Sequence, residues 1–271
     1  MALSSSSIMF HSTFLSHNDS HCQNPPTMSL ITSPGDMNFL EVICEKQIKV
    51  LPLSDEESAC SFTSIMHYQE WTKYFMILDK PVYINLVKDF WKHVNINYED
   101  RSIFSCIFGI PLNITPFTIA RAIGCKNTGF TVDYIKSRYL INEELTSLHN
   151  TSSGYEPLNP ENLLLVPKTL FKLLLTNFLP RGRIKDVLTH DDRVFIFLLM
   201  TRMRVNLPQT IFDFLLKTIT NFKNGDFIKP CVPFGRVLSE IFFLEGIVDG
   251  IKKTGPKVGM LKNKKCDVFS G

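Results

Sequence analysis

The sequence has no CxxC pair, no surplus of charge of one sign and no apolar run long enough for a membrane, and each lack removes a class of function. Its seven cysteines, at 22, 44, 60, 106, 125, 231 and 266, are odd in number and scattered. Zinc knuckles and dithiol redox motifs need clustered sulfur, so neither fits, and the thiols read as reduced cysteines of an intracellular protein, nuclear or cytoplasmic. Net charge is +3 over 271 residues. That excludes a global basic field, so any contact with nucleic acid must be local. The apolar run at 194–200 is short of the ~20 residues that a spanning helix needs, and charges flank it, so no membrane partner is expected. No Walker A loop, Rossmann fingerprint, G-x-S-x-G elbow or D-T-G/D-S-G triplet is present, and no cofactor is expected. The N-terminus lacks the basic and apolar regions of a secretory signal, and the triplets at Asn18, Asn113 and Asn150 then match glycosylation acceptors only by chance.

What is there suits a core. The composition is 44% hydrophobic, with 22 Phe against 2 Trp, enough for a phenylalanine-rich interior in one large domain or two small ones. Residues 1–38 are polar and read as a disordered leader, with His17, His21 and Cys22 inside it. A capping-box pattern at Ser54 and Glu57 opens a helix bearing Phe62, Ile65 and Met66. Pro81 opens a second block, where Val82, Tyr83, Leu86, Val87, Phe90, Trp91 and Val94 recur at helical spacing. Lys88, Asp89, Lys92 and His93 take the other face. The β-branched and aromatic run at 103–110 fits a short strand. Thr115-Pro116 looks like a helix start and Gly124 like its stop. Residues 149–162 make the clearest loop and a candidate subdomain break.

The second half is more regular. "PKTLFKLLLTNFLP" reads as a helix and "PRGRIKDVLT" as a basic turn. In "HDDRVFIFLLMTRMRVNLP", Thr189 and Asp192 form a capping pair, and Arg202 and Arg204 suit the C-terminal end, which predicts one buried helix over 190–204. "NLPQTIFDFLLKTI" buries Ile211, Phe212, Leu215, Leu216 and Ile219 and exposes Gln209, Asp213, Lys217 and Thr220. "PFGRVLSEIFFLEGIV" predicts one last helix. The expected fold is mainly α, a single helical domain over 39–251 with few or short strands, between the leader and a Lys-rich tail at 252–271.

Candidate chemistry is sparse. The Asp191-Asp192 pair resembles a reverse-transcriptase turn only in the two acids, because position 189 holds threonine where an aromatic residue belongs. Asp191, Asp213 and Glu240 can be nominated for a three-acid metal site, but each fits a helix cap or a solvated face equally well. His67 and His93 stand beside aromatic residues and read as packed or solvent-facing side chains. Local positive charge has two sources. Arg181, Arg183 and Lys185 lie in the basic turn, and Lys252, Lys253, Lys257, Lys262, Lys264 and Lys265 lie in the tail with no acid among them up to position 265. Those nine residues are the candidate phosphate contacts, and the tail is alternatively an import signal or a solvated linker.

The order of these blocks over residues 68–250 resembles the plant transposon protein domain, a family of retroelement-derived plant proteins. "NFLP", "HDDRVFIFLLM" and "VNLPQTI" carry most of the likeness. The resemblance implies no active site and no functional residue. It also makes the chain look like a piece of a longer reading frame. The leading expectation is a non-enzymatic domain that serves protein–protein or assembly contacts, through self-association or other retroelement proteins. A nucleic-acid-binding accessory protein is the alternative, and a degenerate transposase or integrase stands third.

Overall fold

Proline and glycine cut the chain into short helices that must pack side by side to bury their apolar faces. A computed structural model of the chain describes residues 40–47, 56–138, 144–148, 159–181, 187–225, 231–254, 261 and 263–264. The leader, Ser54 and the acid-bearing loop at 149–158 lie outside the described residues.

The first part runs β1 (Glu41–Val42), α1 (Glu56–Gln69), α2 (Thr72–Ile77), β2 (Val82–Tyr83), α3 (Ile84–His93), β3 (Asn95–Asn97), β4 (Ser102–Ile107), β5 (Ile110–Ile114), α4 (Pro116–Ile123) and α5 (Val132–Arg138). Short 3-10 turns follow at Glu144–Leu148 and Pro160–Asn162. Next come α6 (Leu165–Leu173), a π-turn over Leu174–Phe178, α7 (His190–Met200), α8 (Leu207–Lys223), β6 (Cys231–Val232), α9 (Gly235–Leu244), α10 (Ile247–Lys253) and β7 (Asn263–Lys264). The expected mainly α architecture is therefore what the chain forms. One cluster of buried side chains takes in residues from both sides of the 149–162 loop.

Strands are short and serve as clasps. β3, β4 and β5 form an antiparallel meander, β1 pairs in parallel with β6, and β2 pairs antiparallel with β7. The run expected as one strand over 103–110 breaks at Phe108 and Gly109, with φ of 48° and 88°. Two consecutive positive φ angles are what a tight I′ hairpin requires, and Ile107 faces Ile110 across it. The meander leads straight into α4. Thr115 caps that helix in a capping box with Thr118, and Gly124 ends it in the left-handed conformation, as the sequence signals indicate.

α7 answers to its hydrophobicity. Val194, Phe195, Ile196, Leu198 and Leu199 are fully buried, so the helix is enclosed on nearly every side. Phe195 lies 6.0 Å from Phe178 and 6.4 Å from Trp71, ring centre to ring centre, and Trp71 lies 4.9 Å from Phe178. The Thr189–Asp192 capping box closes the N-terminus.

Five expectations need correction, the first being that Val82 and Tyr83, read into the helix after Pro81, form β2 instead. α7 stops at Met200 rather than 204, because Arg202 turns left-handed (φ 56°) and Val205 then pairs in a bridge with Phe130. Phe130 donates to the Arg204 carbonyl at 2.8 Å and accepts from Asn206 at 2.9 Å, a pairing a helix could not offer. The last helix is two, α9 and α10, with left-handed Gly246 between them. Asp89, expected on a polar face, is buried and accepts a hydrogen bond from Phe108 N at 2.7 Å. The tail is not wholly a loose linker. Lys252 and Lys253 complete α10, Leu261 packs against the core, and Asn263–Lys264 pair with Val82–Tyr83.

α9 is the most enclosed helix, buried from Gly235 to Phe242. Its N-terminus meets the segment after β1, where Glu45 has no exposed surface. The Glu45 carboxylate accepts from Arg236 N at 2.7 Å and Val237 N at 3.0 Å, an anion placed on two otherwise orphaned helix N–H groups. Arg236 Nε returns a bond to the Glu45 carbonyl at 2.7 Å, and its Nη1 donates to the Lys80 carbonyl. A Cβ on Gly235 would come within 3.1 Å of Cys44 Sγ and Val42 Cγ1, which leaves little space for any larger residue there.

Candidate functional site

The sequence offers charged groups as its candidates, and the fold spends most of them on itself. Arg181, nominated as a phosphate contact, turns inward. Its two terminal guanidinium nitrogens donate to the two oxygens of Asp192, whose side chain is 0% exposed. Thr189 adds bonds from its backbone N (2.9 Å) and hydroxyl (2.7 Å) to the same carboxylate. A bidentate guanidinium engaged in this way is not offered to phosphate. Arg183, Lys185, Lys257, Lys262 and Lys265 lie outside the described residues, and for Lys264 only the backbone is described. Lys252 is exposed and bonded to Asp249 at 3.1 Å, and Lys253 is exposed beside it. The nominated basic residues that are described therefore do not form one site.

The nominated acids are dispersed in the same manner. Asp191 is bonded to Lys136 at 2.6 Å, Asp213 lies 3.4 Å from Arg101, and Glu240 is bonded to Lys80 at 2.6 Å. Burial pushes the Asp213 carboxyl up, against a hydrogen bond from Gln209. His67 is exposed, and His93 stands 3.7 Å from Asp89. Among the described residues no three His, Cys, Asp or Glu side chains gather so as to hold a metal ion. No helix among them is long and apolar enough to cross a membrane. Cys125 is buried against α2, and desolvation pushes its thiol up to about 12, which leaves it a poor nucleophile.

Two surface features were missed by the sequence reading. The first lies where the α7–α8 linker crosses the end of α1. Gln69 is buried, donates from Nε2 to the Met203 carbonyl at 2.9 Å and accepts at Oε1 from Val205 N at 3.0 Å. Glu70, in the left-handed conformation at φ 59°, bonds Arg204 at 2.7 Å and Lys126 at 3.1 Å. These cations hold its carboxyl below the usual range. Arg204 also stands over the ring of Tyr68, 5.6 Å from its centre. Gly129 permits the crossing, because a Cβ there would lie 2.6 Å from the Arg204 carbonyl oxygen. The cavity at this junction is about 20 Å³, room for one water and no metabolite.

The second feature is apolar. α4 packs on α9, and Arg121 of α4 bonds Glu245 just past the end of α9. Phe117 lies one turn before Arg121 on the same face of α4 and is 74% exposed. Phe243 (49%) and Leu244 (42%) immediately precede Glu245. Three large exposed apolar side chains thus lie on the two helices that this ion pair joins. The sequence carried a faint signal of this: "EIFFLEG" has more apolar residues in a row than one buried helix face can cover. Comparison with known proteins adds nothing to this geometry, since no family model, curated protein or solved structure matches the chain.

Proposed function

We propose that this chain is a non-enzymatic helical domain of a plant retroelement-derived protein, and that it acts by associating with a second copy of itself. The retroelement assignment rests on the order of the "NFLP", "HDDRVFIFLLM" and "VNLPQTI" blocks. The observation that carries the association is the surface around Arg121 and Glu245. It is apolar at Phe117, Phe243 and Leu244, and it carries one charge of each sign. A two-fold interface puts the same patch on both partners, so a patch bearing both an arginine and a glutamate is complementary to itself. Apolar side chains clustered at the surface mark contact sites, whereas scattered ones do not. The non-enzymatic part of the reading is supported by the separate pairing of Asp191, Asp213 and Glu240 with cations on three different partners.

Sedimentation velocity over a wide range of concentration tests the association. The chain should shift from monomer to dimer, and Phe117→Ser with Phe243→Ser should stay monomeric with little loss of stability, since both rings are exposed. A chain that stays monomeric throughout the range overturns the reading. Cleavage of DNA with Mg²⁺ or Mn²⁺, lost in Asp191→Ala protein that still folds, would overturn its non-enzymatic part.

A further inference from the structure

The α7–α8 linker carries Arg202 and Arg204 across α1, and their positions are fixed by the fold. Arg202 Nη2 donates to Ser64 Oγ at 3.1 Å, while Arg204 reaches Glu70 and covers Tyr68. Ser64 and Tyr68 are four residues apart on α1, hence one turn apart on the same face. The two arginines therefore lie in a row along that helix. Two lysines extend the row. Lys126 bonds Glu70, and the stem of Lys73 runs over Gly124, where an added Cβ would fall 2.6 Å from Lys73 Cδ. Gly124 is two residues from Lys126, so both lysines are anchored at the same end of α4.

All four cations are exposed, and Glu70 is the one acid bonded among them. Among the described residues no salt bridge takes up Lys73 or Arg202. Tyr68, beneath Arg204, leaves 39% of its surface open. The chain as a whole is almost neutral at +3, so a local set of four cations against one acid is a concentration of charge.

We infer that this face, Arg202, Arg204, Lys126 and Lys73 around Tyr68, is a binding surface for single-stranded nucleic acid. Arg202, Arg204 and Lys126 succeed one another from Ser64 to Glu70, so that successive phosphates can be met, and the open tyrosine offers a ring on which an unpaired base can stack. Arg204 over Tyr68 supplies a second flat surface of the same kind. A duplex keeps its bases stacked inside and would use only the charges, so the aromatic residue favours a single strand. Glu70 holds Arg204 and Lys126 outstretched in the absence of ligand, and it limits affinity by repelling phosphate. The inference is independent of self-association, because the α4–α9 patch shares none of these residues.

Fluorescence anisotropy with a labelled oligothymidylate, titrated at several salt concentrations with the full chain, tests the inference. Binding should weaken as salt rises. Lys73→Gln with Arg202→Gln should lower the log–log salt slope by about 1.4, given roughly 0.7 per lost phosphate contact on a single strand. Lys126→Gln alone should lower it by about half as much and serves if the double variant melts early. Tyr68→Ser should weaken oligothymidylate binding about tenfold while leaving inorganic polyphosphate binding unchanged. No binding at low salt overturns the inference. So does an unchanged slope in the variants, which would place the contact in the lysine tail. Oligothymidylate binding that Tyr68→Ser leaves as strong as before, or weakens no more than polyphosphate binding, overturns the assignment to nucleic acid.

Discussion

Arg181 and Asp192 lie eleven residues apart, and the guanidinium of the first grips both carboxylate oxygens of the second at the start of α7. Asp192 has no exposed surface, and Arg181 keeps 21% of its side chain in solvent. Removing the arginine strands a buried charge. Arg181→Ala should therefore cost about 3–5 kcal/mol in urea unfolding, as broken buried pairs do. Arg101→Ala, which removes the exposed partner of Asp213, should cost under about 1 kcal/mol. Similar small losses in both would mean that Asp192 is not held by Arg181.

The aromatic heart of the fold gives a second expectation. Phe195 is fully buried between Trp71 and Phe178, whereas Phe197, two residues on, is only partly buried. Phe195→Ala should cost about 3–5 kcal/mol and Phe197→Ala clearly less, measured by chemical denaturation. The reverse order would contradict the orientation of α7.

Glu45 makes stability depend on pH in a particular sense. Burial raises its pKa despite the bonds from Arg236 and Val237, so the folded chain holds that proton more tightly than the unfolded one. Its contribution is then fully present below the unfolded value of about 4.3 and falls as pH rises through the raised folded value. Glu45→Gln cannot titrate there. The stability of the native chain minus that of the variant should decline as pH climbs from about 4 upward. A difference that is flat, or that grows with pH, would show that the carboxylate is not desolvated.

The C-terminal segment offers a fourth. Deleting residues 252–271 removes the last turn of α10, the packing of Leu261 and the partner strand of Val82–Tyr83. The melting temperature should fall by several degrees, as expected for a loss of roughly 1–2 kcal/mol. An unchanged midpoint would mean that the tail adds nothing to the fold.

Helices were legible in this sequence wherever a local signal governs them. The caps at Thr115 and Thr189, the proline at 116, the glycine at 124 and the apolar face from Leu86 to Trp91 all act within a few residues, and each does in the fold what its pattern indicates, whereas Val82 and Tyr83, read with that face, pair as a strand with Asn263–Lys264. Long-range pairing was not legible. Nothing near Arg204 announces that Phe130 will pair with the chain on either side of Val205 beyond an early end of α7, and nothing near Glu45 announces a helix N-terminus 191 residues away. The basic residues show the same divide. A sequence tract counts the charge of Arg181, but only the fold reveals that Asp192 consumes it. Arg202, Arg204, Lys126 and Lys73 come from three separate segments, so no window along the chain could have shown them as one face.

Self-association through the α4–α9 patch is most directly tested by exchanging charges. A two-fold dimer brings the Arg121–Glu245 pair of one copy against that of the other, so each Arg121 meets a Glu245 across the interface as well as its own. Arg121→Glu gives a patch with two acids, and Glu245→Arg gives one with two arginines. Sedimentation velocity should find each variant monomeric by itself, and an equimolar mixture of the two should form a dimer, because both cross-contacts are again between opposite charges. A mixture as monomeric as its components, or single variants that dimerise as the native chain does, would contradict the account.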